Sequence, residues 1–128
     1  MTYRMDHIAL LVRDLDEEVA FLTGVIGLTE MPNPMGGTTI RWIEIGDGRR
    51  FHVQAGDVSR TSVERQTHFA LSSQTFDRVL EDMKRRGIAF SDMKGTRGAI
   101  NTRPDGMRAL FLQSPTGYWF EINDFRHP

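Results

Sequence analysis

The chain has 128 residues, no cysteine and a formal net charge of −1. Disulfides, thiolate metal sites and cysteine nucleophiles are therefore excluded, and the charge gives no pull toward nucleic acid or anionic lipid. The hydrophobic fraction of 39% suits one domain-sized core; no apolar run nears the roughly 18 residues of a membrane-spanning helix.

The amino terminus, MTYRMDH, carries neither an apolar signal core nor an arginine-rich leader, which makes the cytoplasm the default expectation. Residues 7–12, HIALLV, read as a strand. Asp14 with Glu17 three residues on is a capping box. Leu15, Val19, Leu22 and Ile26 then recur at helical spacing, and Gly24 and Gly27 suit the helix end. Residues 31–37 are a turn-rich loop, 38–45 a strand, Gly46-Asp47-Gly48 a tight hairpin, and 50–55 the return strand. The order then starts again. Residues 68–71 read as a strand, Phe76, Leu80 and Met83 as a helix ended by Gly87, and 88–90 as a short strand. A polar, glycine-containing segment follows to Gly106, then a strand at 107–113, a Ser-Pro-Thr-Gly turn and a last strand at 118–123.

The two halves are copies. His7, Leu15, Val19 and Leu22 match His68, Phe76, Leu80 and Met83 at a constant offset of 61, and Trp42, Gly48, Phe51, His52 and Val53 match Phe111, Gly117, Phe120, Glu121 and Ile122 at 69. The second half thus carries about eight extra residues, placed in the loop before Gly106, where they could form a mobile lid. Each half reads as a βαβββ module too small to close its own core, so two should pack as one α+β domain over residues 1–128, with the copies at about 5–56 and 66–124.

The copying selects the candidate site. A histidine that opens a strand is by itself usually just a satisfied polar group. Here His7 and His68 are one repeat position, and His52 and Glu121 are another. Strand alternation sets His52 and Glu121 on the face opposite the core residues Phe51, Val53, Phe120 and Ile122. If the sheet curls, that face becomes a cleft. Two or three imidazoles and a carboxylate suit one divalent ion (zinc, nickel, iron, cobalt or manganese) with positions open to substrate. Trp119 shares the face of Glu121, either stacking on substrate or packing the wall. Arg41 and Arg108 on neighbouring strands, and Arg103 in the long loop, are candidates for binding substrate. Glu44 lies either at an edge or at the cleft. No phosphate loop, dinucleotide fingerprint or serine elbow is present.

The segments DHIALLVRDLDEEVAFLTGVIGL, THFAL and RALFLQSPTGYWFEIND resemble the vicinal oxygen chelate superfamily, which includes glyoxalase I, epimerases, extradiol dioxygenases, and fosfomycin- and bleomycin-resistance proteins. The last segment has Ser-Pro-Thr-Gly where that family usually has Asp-Pro-x-Gly. The resemblance implies a curved, cup-shaped mixed sheet with helices outside, and one divalent metal held by His7, His52, His68 and Glu121. It implies a homodimer with sites at the interface as one arrangement and a site within one chain as the other. It also implies a small substrate bound through two oxygens, with an enolate-like intermediate and Glu121 or His52 moving a proton, as in glyoxalase or epimerase chemistry. His52 stands where glyoxalase I has Glu, and Gln54 on the same face could replace it as ligand. Without His52, the set His7, His68 and Glu121 is the two-His-one-carboxylate triad of Fe(II) oxygenases, so a ring-cleaving dioxygenase is the alternative. A metal-free binding protein of the bleomycin-resistance type is the third reading.

Overall fold

Large apolar side chains at alternate positions, Phe51 and Val53 in one half and Phe120 and Ile122 in the other, give the last strand of each half a face to bury. The computed structural model describes residues 1–127, and the chain divides into two units, Met1–Thr61 and a second beginning at Ser62. The first contains β1 (His7–Val12), α1 (Leu15–Ala20), β2 (Thr29–Met31), β3 (Ile40–Gly46) and β4 (Arg49–Ala55). The second contains β5 (His68–Ser72), α2 (Phe76–Arg86), β6 (Asn101–Thr102), β7 (Arg108–Gln113) and β8 (Trp119–Asn123). Each unit builds its own four-stranded mixed sheet, ordered β1-β4-β3-β2 and β5-β8-β7-β6. In each, the first and last strands pair parallel and the remaining pairs are antiparallel.

The local signals act as their chemistry dictates. The Asp14 carboxylate accepts the Glu17 backbone N–H at 2.9 Å and caps α1. Beyond Ala20 the helix widens into a π-helical turn, Phe21–Ile26, which periodicity does not foresee. There the Leu22 carbonyl receives the N–H of both Gly27 and Leu28. The wider turn lets the adjacent Phe21 and Leu22 both be buried. At the β3–β4 hairpin Asp47 and Gly48 take positive φ, 53° and 76°, as a primed turn requires. Helix α2 carries Lys84, Arg85 and Arg86 in its last turn, where they oppose the helix dipole, and stops at Gly87 with φ 66°.

Two expectations about the second half need correction. Residues 88–90 do not form a strand. They are apolar because Phe90 is buried, and a short apolar run does not separate burial from pairing. The strand beside β7 is instead β6, within the segment read as loop, and Ser91 makes isolated bridges to Arg97 and Phe111. The segment before Gly106 is therefore partly tied into the sheet, and the Gly98 N–H donates to the Phe90 carbonyl. The strand read over 38–45 starts at Ile40.

Phe51, Val53 and Ile43 are fully buried in the first unit, as are Phe120 and Leu110 in the second. The buried face of the first sheet carries Arg41, which reaches Asp16 of α1, and that of the second carries Arg108, which stacks on Phe76 of α2. The opposite face of each sheet is thereby left for other side chains. Phe120→Ala should cost about 3–5 kcal/mol and Asp14→Ala about 1 kcal/mol; urea unfolding followed by circular dichroism measures both.

Candidate functional site

On the second sheet, β5 and β8 align Ala70 with Glu121 and His68 with Trp119. His68 is thus diagonal to Glu121, and the small Ala70 between them leaves the carboxylate room to lean across. His68 Nε2 and Glu121 Oε1 stand 3.5 Å apart, with the two side chains 19% and 15% exposed. The other atom of each group is held. His68 Nδ1 meets the Arg65 carbonyl at 2.8 Å, and Asn123 Nδ2 donates to Glu121 Oε2 at 2.5 Å. An Nδ1–H given to a carbonyl leaves the Nε2 lone pair facing the carboxylate.

The first sheet repeats the construction with one change. Ala9 aligns with His52, so His7 is diagonal to it. His7 Nδ1 meets the Asp6 carboxylate at 2.7 Å, which leaves Nε2 as the free donor. His52, however, lies face to face with His7 (3.9 Å, 9° between planes) and with Trp42 (4.4 Å, 6°). Arg50 lies over Trp42 at 4.4 Å and donates its Nε–H to His52 Nε2 at 3.2 Å. Parallel rings aim their lone pairs side by side, and that of His52 is already taken. Burial, then the neighbouring His7 and Arg50, hold the His52 pKa below its ordinary 6.5, with Asp6 opposing them. The hydrogen bond from His7, then the charge of Arg50, holds the Asp6 carboxyl below its usual range.

His68 with Glu121 fits as half of a metal site. Two donor atoms, each about 2.1 Å from one ion at a tetrahedral angle, stand about 3.4 Å apart, close to the separation seen. Among the described residues no three or more His, Cys, Asp or Glu side chains are grouped to share an ion. His7 and His52 are brought together in one unit, and His68 and Glu121 in the other.

The remaining candidates separate. Trp119 shares the face of Glu121, with the Arg65 guanidinium 4.2 Å above its ring. Arg103 lines a groove of about 330 Å³ together with Glu121, Asn123 and Ser72. Gln54 is exposed on the face of His52, and Glu44 shares that face, opposite Arg50. Arg41 and Arg108 stand on the helix-facing sides and are ion-paired there, Arg41 with Glu30 and Asp16, and Arg108 with Asp77 and Asp124. Sequence reasoning passed over Asp6, Arg65 and Asn123, and the two alanines. The signal was available: Asn123 lies two residues beyond Glu121 on one face, and His-x-Ala recurs at 7–9 and 68–70.

The family model for the Glyoxalase/Bleomycin resistance protein/Dioxygenase superfamily matches residues 4–122. The chain belongs to this superfamily. YwbC, an uncharacterised protein of Bacillus subtilis, is 24% identical over 128 residues, spanning 95% of this chain and 98% of its own. The solved structure of the oxidase ChaP-H1 superposes with a TM-score of 0.74 at 22% identity, over 98% of each chain. The fosfomycin resistance protein FosX of Listeria monocytogenes superposes at 0.73 and 21%, over 98% of this chain and 96% of its own. These likenesses show the superfamily's α+β fold; they leave its chemistry open. No helix among the described residues is long and apolar enough to cross a membrane.

The lowered His52 pKa carries a sign. Above 6.5 the imidazole is neutral in folded and unfolded chains alike. As the pH falls below 6.5 the unfolded chain takes the proton first, so folding stability declines until the folded-state pKa is passed. The His52 ring should titrate below 6.5 by NMR, and His52→Gln should remove that part of the acid-dependent loss in urea midpoint.

Proposed function

We propose that this chain is a divalent-metal-dependent enzyme whose ion is held by His68 and Glu121 together with His7, acting on a small substrate that presents two vicinal oxygens. The observation that carries this reading is the His68–Glu121 pair, 3.5 Å apart with the outer atom of each group fixed by Arg65 and Asn123. Such outer partners orient ligands, and the carbonyl that accepts from His68 Nδ1 also raises the basicity of that imidazole. His7, fixed at Nδ1 by Asp6, is prepared in the same manner. Each unit carries two of the four candidate donors, and the third donor comes from a second copy of the chain in a homodimer.

When bound, the ion supplies Lewis acidity toward the paired substrate oxygens and favours enolate-type charge, as glyoxalase and epimerase chemistry requires. Proton movement falls to the Glu121 carboxylate, because Asn123 fixes Oε2 and leaves Oε1 toward the site. His52 stays neutral, accepts from Arg50 and braces His7 by stacking, in place of the ligand and base roles expected of it. A second reading has its own support. With His52 engaged by Arg50, the donors left are two imidazoles and one carboxylate, the set suited to Fe(II) and oxygen. That reading is ring-cleaving dioxygenation of a catechol-like substrate; one structural neighbour, ChaP-H1, is named as an oxidase.

Metal analysis of untagged protein tests the shared claim. Close to one ion per chain is expected, with nickel, zinc or cobalt favouring the first reading, and iron with oxygen uptake on catechols the second. Protein that takes up no divalent ion is left with the binding-protein reading. Asn123→Leu should weaken metal affinity about 10–100-fold with the fold intact. Mixing His7→Ala with Glu121→Gln protein should restore metal binding in the mixed dimers, since one site then keeps all its donors; no recovery would place the whole site in one chain.

A further inference from the structure

Beside the His68–Glu121 pair, on the same unit, lies a cavity of about 300 Å³ whose lining includes neither His68 nor Glu121. Its wall is aromatic, made by Phe90, Phe111 and Trp119, with Arg65, Arg97 and Gln113 as its main polar groups. No Asp or Glu lines it. Neither arginine pairs with a carboxylate among the described residues. Arg65 is the more telling. Its guanidinium is stacked on Trp119 at 4.2 Å, and Gly95 closes on it so tightly that a Cβ there would lie 3.0 Å from Nη1. The Arg65 Nε is buried and has no hydrogen-bond partner among the described residues. A buried charged donor left unmet is costly, and a rigid guanidinium fork is matched by a carboxylate.

We propose that this cavity takes the carboxylate end of a small organic acid with an apolar, ring-sized body, which makes such acids the substrate class of the neighbouring site. The wall joins the two places. Phe111 lines the cavity, sits opposite Glu121 in the strand register and meets the His68 ring edge-on at 5.2 Å. Arg65 joins them again, since its carbonyl fixes His68 while its side chain faces the cavity. The volume is at the small end of ligand sites and suits one ring with its acid group. The substrate class rests on the metal reading, whereas occupancy of the cavity does not, and the experiment separates them.

Benzoate is the probe, with benzamide and phenylphosphonate as controls, measured by calorimetry on the full-length protein stripped of metal. Benzoate should bind at millimolar concentration or tighter and shift the Arg65 Nε–H resonance, which is assigned by its loss in Arg65→Met. Benzamide should bind at least tenfold more weakly. Arg65→Met should weaken benzoate at least tenfold. Arg97→Met should weaken it severalfold, and because Arg97 is exposed this variant guards against a folding defect in the first. Equal binding of benzamide, or benzoate affinity unchanged in both variants, overturns the proposal. Tighter binding of phenylphosphonate overturns the choice of carboxylate. Benzoate binding by protein that takes up no divalent ion would sink the metal reading and leave the cavity assignment standing. Metal binding without benzoate binding would do the reverse.

Discussion

The parallel pairing of the first and last strands in each unit is the constraint on which the rest depends. It sets an alanine opposite the functional residue of the last strand and a histidine one diagonal step away. Side chains at diagonal positions touch only when one is long and nothing bulky stands between them. Ala9 and Ala70 meet that condition, so His7 reaches His52, and His68 reaches Glu121. The buried faces, with Phe51 and Phe120 at their centres, hold the register fixed, because a slip of one residue would turn every donor into the core.

One construction carries two different pairs. In the second unit the diagonal pair is an imidazole and a carboxylate, each with its outer atom tied down and the inner atoms 3.5 Å apart. In the first unit the corresponding pair is two imidazoles pressed together, with Trp42 and Arg50 completing the stack. Arg50 is the divergent element. Its permanent charge and its hydrogen bond to Nε2 make His52 a poor partner for another cation. Asp6 balances that charge by meeting both Arg50 and His7. The geometry thus distinguishes residues that repeat counting makes equivalent.

Much of the fold was legible in the residues. The capping box at Asp14, the hairpin at Asp47-Gly48 and the stop at Gly87 are short-range signals whose chemistry is local, and each acts where it stands. The misreading of 88–90 arose because three apolar residues in a row report burial and nothing about pairing, while the true edge strand, β6, has only Asn101 and Thr102 and no apolar pattern. At the site, repeat equivalence selects the candidate donors, and alternation along the last strand puts Asn123 on the face of Glu121. A carbonyl such as that of Arg65 carries no sequence signature. Arg41 and Arg108 are candidates in the sequence because they lie on strands beside the proposed site; in the fold, Glu30, Asp16, Asp77 and Asp124 pair with them on the helix side.

The π-helical turn at Phe21–Ile26 marks a one-residue difference between the helical segments of the two halves. From Leu15 the first helical segment runs to its closing glycine at position 27, whereas the matching segment from Phe76 closes at Gly87, one residue sooner by the repeat offset. A π turn, with its i→i+5 bonds, holds more residues per turn than an α-helix and so has room for one more. The surplus is taken up as a local widening, so neither the strand before it nor the strands after it are displaced. A one-residue difference between the halves thus sits inside a helical segment, while the strand register that pairs Ala9 with His52 is the same as the one that pairs Ala70 with Glu121.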